Sequence, residues 1–355
     1  MSLLRLLSSA TGWLSENDSS QSPPPGNRNY SSADTNMSIP LPKFDDLPLR
    51  KGDPKCSAWS LWGKDDELGT LNLITEDVTK AAASEVKLGK AVNLNLPLNV
   101  PLKPMNPQRK PCVHTLIPKG HANDDELYFN TQSSSHWDGL RHYPYSDTKQ
   151  FYNGVAQDDI SGINKCDKIG IHNIATHPIV TRGVLVDWYS YVVKNNLPHK
   201  PFTNQHIPLK QLLEVVREEN ITFRKGDALL IRTGWTDAYN KLSEEEKENL
   251  GGRDDRASIG IEATEESIRW HWDQKFSAVA SDTVAYEAWP SPKPWGVSMH
   301  EVFLSGWGMP IGECWDLEEL SATCAKLGRW TFMLTSQPLY LPGGVASPAN
   351  ATGIF

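Results

Sequence analysis

The segment Phe129-Asn130-Thr131-Gln132-Ser133-Ser134-Ser135-His136-Trp137-Asp138-Gly139-Leu140-Arg141-His142 spaces imidazoles and a carboxylate as an extended chain would need them. In a strand, side chains alternate faces, so Gln132, Ser134, His136 and Asp138 point one way. A His and an Asp two residues apart then converge on one cation, with Gln132 adding a carbonyl oxygen, whereas a helix would splay them. Small serines leave room for a metal and its water. Gly139 permits a sharp turn that swings His142 back over the site, free for proton transfer. H-x-D is also a short, common pattern, and it equally fits a hydrogen-bonded His136–Asp138 pair inside a polar strand with His142 on the surface.

Working outward, strands are expected over residues 91–96, 127–138, 179–186, 228–233, 278–281 and 330–334. The spacing predicts a helix over 208–219, with Pro208 at the first helical position and Leu209, Leu212, Leu213 and Val216 on one face. A second begins at Asp316, whose carboxylate caps while Glu319 reaches back. A third covers 264–272, and residues 241–250 form a solvated surface helix stopped by Gly251-Gly252. Apolar strands alternating with amphipathic helices make an α/β protein. There is no internal repeat, and no glycine-rich phosphate loop follows a strand, which removes the main support for a nucleotide cofactor.

The chain has 355 residues, 39% hydrophobic and 22% charged, enough to bury a sizeable core. It is read as an N-terminal arm over residues 1–43, rich in Ser, Pro, Asn and Asp from residue 15 onward, and one domain over 44–355. Residues 1–13 carry one Arg and no acid. They fit a mitochondrial presequence or the untargeted arm of a cytoplasmic protein. The net charge is −8 with no basic run, which argues against nucleic acid and anionic membrane as partners. No apolar stretch reaches the roughly 18 residues a membrane helix needs. Cys56, Cys112, Cys166, Cys314 and Cys324 are odd in number and widely spaced, the pattern of buried thiols in a reducing compartment.

A second cluster lies in Ser298-Met299-His300-Glu301 and Gly312-Glu313-Cys314-Trp315. His300 and Glu313 suit a divalent cation, and Asp138 could bridge two such ions. Standing alone, His300 equally fits a structural histidine and Glu313 a surface acid. Trp137, Tyr143, Tyr145, Phe151 and Tyr152 either line a pocket or belong to the core. Asp282 and Arg232, at strand ends, are read as a structural ion pair, and His172 and His177 as structural residues.

Together these segments resemble the cyclase family that includes bacterial-type kynurenine formamidase, isatin hydrolase and trans-dienelactone hydrolase, whose signature is H-x-G-T-H-x-D-x-P-x-H. The window here keeps His136, Asp138 and His142. Gln132 stands for the first histidine, and Ser134, Ser135 and Leu140 stand for Gly, Thr and Pro. Similarity extends to residues 62–72 (WGKDDELGTLN), 182–187 (RGVLVD) and 230–235 (LIRTGW). The resemblance implies a layered β/β/α fold around a partly closed, barrel-like mixed sheet, and a homo-oligomer. It implies that His136 and Asp138 are metal ligands, that His142 transfers protons, and that His300 and Glu313 serve the metal from the C-terminal half. It places Gln132 in a ligand position, where a neutral amide oxygen favours one ion over two, or manganese over zinc. The implied activity is hydrolysis of an amide or lactone bond of a small cyclic or aromatic substrate, with one or two zinc or manganese ions per subunit. A metal-dependent cyclase, lyase or isomerase, or a degenerate ligand-binding member, are the alternatives.

Overall fold

In the computed structural model, which describes residues 40–163 and 165–355, the most apolar runs of the chain meet at the centre of one sheet. In chain order the strands are β1 (Ala91–Asn93), β2 (Val113–Pro118), β3 (Asn123–Tyr128), β4 (His136–Asp138), β5 (Ile179–Val186), β6 (His206–Ile207) and β7 (Ala228–Ile231). They continue with β8 (Gly260–Ile261), β9 (Ala278–Ser281), β10 (Ile311–Glu313), β11 (Thr331–Ser336), β12 (Ala346–Pro348) and β13 (Ala351–Ile354). A nine-stranded mixed sheet runs in the order β1-β13-β11-β5-β7-β9-β10-β4-β12, curled into a half-barrel with helices packed around it. The α/β class and the barrel-like sheet are therefore as the sequence suggests.

β5, β7, β9 and β10 run parallel, and every residue of β7 and β9 is buried. Parallel strands are covered on both faces, which is why they read as unbroken apolar runs. β5 and β9 have the expected bounds. β7 stops at Ile231, short of the expected 233, because the chain turns through Gly234 at a φ of 81°.

Helix Leu209–Glu218 buries Leu209, Leu212 and Val215 and leans on β5. Pro208 precedes it as the cap, and Leu213, expected on the buried face, is exposed. Thr264 and Ser243 cap helices Glu265–Asp273 and Glu244–Gly251 through their hydroxyls. The Asp316 carboxylate accepts from Glu318 N as expected, but the helix Glu318–Leu327 begins later, and Glu319 pairs with Lys90 instead of reaching back.

The largest departure is the strand expected over 127–138. β3 ends at Tyr128, β4 begins at His136, and turns lie between them. Asn130 is the cause: its side chain accepts from Gln132 N at 2.9 Å and its carbonyl from Ser133 N at 2.9 Å, a turn that breaks any ladder. Gln132 and Ser134 therefore do not share a strand face with His136.

The presequence reading of residues 1–13, and the arm up to residue 39, lie outside the described residues. Residues nearest the arm's expected end already pack: Trp272 donates to the Pro42 carbonyl at 2.9 Å, and Phe44 stacks on Trp295 at 6.0 Å. Cys56, Cys314 and Cys324 are buried free thiols, and Cys112 and Cys166 are half-buried ones. Among the described residues no helix is long and apolar enough to cross a membrane.

Candidate metal centre

β4 lies between β10 and β12, and sheet register builds the site. Glu313 stands opposite His136, and Ile311 opposite Asp138. Directly paired residues share a face, so His136, Asp138 and Glu313 project together while Trp137 projects the other way. On that other face Trp137 meets Trp315 edge-on at 4.8 Å. Gly312 makes room for this pair, because a Cβ there would sit 2.8 Å from the Trp315 indole nitrogen and 2.6 Å from the Ala280 Cβ.

His136 Nδ1 donates to the Ser134 carbonyl at 2.7 Å, which leaves Nε2 as the inward nitrogen. Nε2 lies 3.3 Å from both Asp138 Oδ1 and Glu313 Oε2, yet neither is aligned as a hydrogen-bond partner. Asp138 Oδ2 is likewise buried and without a partner. Three acceptors thus converge on one space, which requires a proton or a cation there. With a proton, burial pulls the His136 pKa down but Asp138 and Glu313 outweigh it and hold it up at about 9. Burial pushes Asp138 up, and the three imidazoles of His142, His136 and His300 outweigh it and hold Asp138 well below the carboxylate range.

A second group shares Asp138. His142 Nε2 is 3.6 Å and His300 Nε2 3.8 Å from Asp138 Oδ2, and His300 Nε2 is 3.1 Å from Glu313 Oε1. Ligand atoms of Asp138, His142 and His300, and those of His136, Asp138 and Glu313, each lie within 4.8 Å of one another. The residue types fit a divalent cation, as does the pair of orphaned buried atoms. The Gln132 amide donates to Asp138 Oδ1 at 2.6 Å and lies 3.2 Å from each His142 ring nitrogen. An N–H cannot bind a cation, so ligation by Gln132 needs its amide turned to present the oxygen. All six residues singled out in the sequence are brought together here.

Sequence reading missed Glu287. This fully buried carboxylate accepts from His300 Nδ1 at 2.8 Å and His300 N at 3.0 Å, and its other oxygen accepts from Met299 N at 2.9 Å. It fixes the His300 tautomer so that Nε2 faces Glu313 and Asp138, the arrangement of a metal-ligating imidazole backed by a carboxylate. Burial pulls the His300 pKa down, but Glu287 and Glu313 outweigh it and hold it well above the usual value. His300 also begins the π-helical turn Glu301–Trp307, a form of helix enriched at functional sites. The signal that could have found Glu287 is one acid inside Ala285-Tyr286-Glu287-Ala288-Trp289.

Beside the cluster is a cavity of about 190 Å³ bordered by Gln132, His142, His300 and Glu313. Of the five aromatic candidates Tyr143 lines it, joined by Trp289, while Trp137, Tyr145, Phe151 and Tyr152 are core. The serines are staples more than spacers: Ser134 donates to the Pro97 carbonyl at 2.9 Å, and Ser135 bonds the Cys314 carbonyl and accepts from Leu96 N at 2.8 Å. His142 has 21% side-chain exposure, and its pKa is lowered by burial despite Asp138.

Arg232 pairs with Asp187 at 3.2 Å and Glu318 at 2.6 Å, not with Asp282. Asp282 instead accepts from Thr233 N at 2.6 Å and Gly234 N at 2.9 Å, tying two strand ends together. His172 Nδ1 accepts from Gly343 N at 3.2 Å, and His177 bonds Asn173 and Thr176, so both stay outside the site.

Residues 57–288 match the family described as "Putative cyclase", more than half of the chain. A crystal structure described as a novel cyclase is 31% identical, with a TM-score of 0.73 over 84% of this chain and 99% of that one. Isatin hydrolase A from Ralstonia solanacearum shares the fold at 18% identity and a TM-score of 0.53, covering 79% of this chain and 97% of its own. Isatin hydrolase A from Labrenzia aggregata, bound to benzyl benzoate, does so at 16% and 0.52, covering 78% and 96%. No curated protein matches the sequence.

Proposed function

As the chain belongs to the cyclase family, whose fold is shared with isatin hydrolases, we propose that it is a metal-dependent hydrolase cleaving an amide or lactone bond of a small cyclic or aromatic substrate. The observation that carries this reading is the pair of buried, unpartnered atoms, His136 Nε2 and Asp138 Oδ2, at the junction of two ligand groups beside a cavity. His136, Asp138 and Glu313 would hold one divalent cation, zinc or manganese, and Asp138 with His300 offers a second position, giving one or two ions per subunit. Held there, such a cation supplies Lewis acidity toward the substrate carbonyl and acidifies water.

The chain's own groups do the rest. Glu287 keeps His300 Nε2 turned inward, and Ser134 does the same for His136. Tyr143 and Trp289 form aromatic walls that orient a ring. His142 faces the cavity and carries the proton of the attacking water to the departing nitrogen or oxygen. The water oxygen bonds the acyl carbon, the C–N or C–O bond breaks, and no electrons enter or leave.

Turnover of aromatic amides and lactones in isotopically labelled water tests this directly. Hydrolysis places one labelled oxygen in the carboxylate product. A turnover product without label would replace it with a metal-dependent cyclase, lyase or isomerase. The family resemblance adds a homo-oligomer acting on a small molecule, and a monomeric mass in sedimentation would remove that part.

A further inference from the structure

Two arginines without an ionic partner among the described residues border the cavity beside the cluster. Arg50, Arg182, Arg224, Arg232, Arg253 and Arg269 each pair with a carboxylate. Arg109, Arg141, Arg217, Arg256 and Arg329 do not, among the described residues; Arg141 and Arg329 bond backbone carbonyls, and of the five it is Arg109 and Arg256 that line the cavity holding His142, His300 and Glu313. Arg109 spends one N–H on the Gln132 carbonyl at 3.0 Å, which fixes its stem beside the motif, and its other donors meet no acceptor among the described residues. Arg256 makes no hydrogen bond among the described residues, and holds a left-handed φ of 48° that a side chain disfavours. Both are partly withdrawn from water, where an unpaired guanidinium is a standing penalty that an anion relieves. In a protein of net charge −8, two unpaired cations at one cavity are a local feature and not a general surplus.

We infer that the substrate bears a carboxylate, which Arg109 and Arg256 grip while its scissile carbonyl faces Asp138 and its ring lies along Tyr143 and Trp289. This rests on the hydrolytic reading above and narrows it to acidic aromatic amides or lactones. A guanidinium fork matches a carboxylate in two parallel bonds, so the pair would orient the substrate as well as attract it.

The test uses the full chain with its metal and two probes that differ by one group, 2-formamidobenzoate and formanilide. Binding is read by calorimetry, and hydrolysis is followed separately as released formate. The acid should bind at least roughly 10-fold more tightly, an advantage that shrinks with salt. Arg256→Gln and Arg109→Gln should each erase most of it, leaving formanilide affinity and metal content unchanged. Arg256 has no hydrogen bonds to lose among the described residues, so its variant remains informative if the Arg109 variant fails to fold. The advantage should also persist in Asp138→Asn, which separates capture by arginine from capture by the cation. Equal affinity for the two probes, no binding of either, or an advantage that survives both arginine substitutions overturns the proposal. An arginine-dependent advantage without hydrolysis would overturn the hydrolytic reading instead.

Discussion

His136 and His271 start from the same position. Each is fully buried, and each donates Nδ1 to a backbone carbonyl at 2.7 Å, Ser134 for one and Ser267 for the other. They differ in what the second nitrogen meets. His271 Nε2 accepts from the Tyr286 hydroxyl at 2.8 Å, whereas His136 Nε2 faces two carboxylates at 3.3 Å and bonds neither. Burial pulls both pKa values down, and it takes His271 to about 4, while Asp138 and Glu313 hold His136 up at about 9. Burial of a histidine therefore says little about its task. An inward nitrogen with acceptors around it and no partner marks a place for a cation.

Removing the acceptor common to both ligand groups is the most severe way to break this contrast. Asp138→Asn should lower bound zinc or manganese to near zero by elemental analysis and turnover to background, with circular dichroism unchanged. Metal retained in full would remove the ligand assignment. His142→Ala should slow turnover roughly 10²- to 10⁴-fold if His142 moves the proton. Metal content should hold in that variant. Loss of one equivalent would make His142 a ligand, and near-native turnover would end its catalytic role. Glu287→Gln, which removes the charge that orients His300, should weaken metal affinity roughly 10- to 100-fold in a chelator competition. An unchanged affinity would leave Glu287 with structure alone.

The smallest effect belongs to His271. Its folded pKa of about 4 lies below the ordinary 6.5, so on acidification the unfolded chain takes up the proton first. The stabilisation is complete above 6.5 and is lost as pH falls from there toward 4. Between pH 7 and pH 5 the native chain should lose about 2 kcal/mol that a His271→Gln variant keeps, read by urea unfolding at both values. Parallel losses in the two proteins would mean that His271 is not held neutral.

What the sequence made legible was local. Strand alternation places His136 and Asp138 on one face, and the apolar runs of β5 and β9 announce their own bounds. Gln132 converges on the site as expected but by another route, since Asn130 turns the chain where a straight strand was read. Glu313 opposite His136 is a matter of register between strands far apart in sequence, which no single-segment pattern encodes. Glu287, Arg109 and Arg256 stand in segments without periodicity, and what distinguishes them is their partners, or the lack of them, in three dimensions.

Trp137 sits in the chain between His136 and Asp138, on the dry side of the same short strand, with its ring against Trp315. Trp315 in turn donates its indole N–H to the His136 carbonyl at 3.2 Å. A shift of β4 as the cluster fills would move one indole against the other, so this pair, two of the chain's 13 tryptophans, is placed to report occupancy from behind the sheet without touching the ligand.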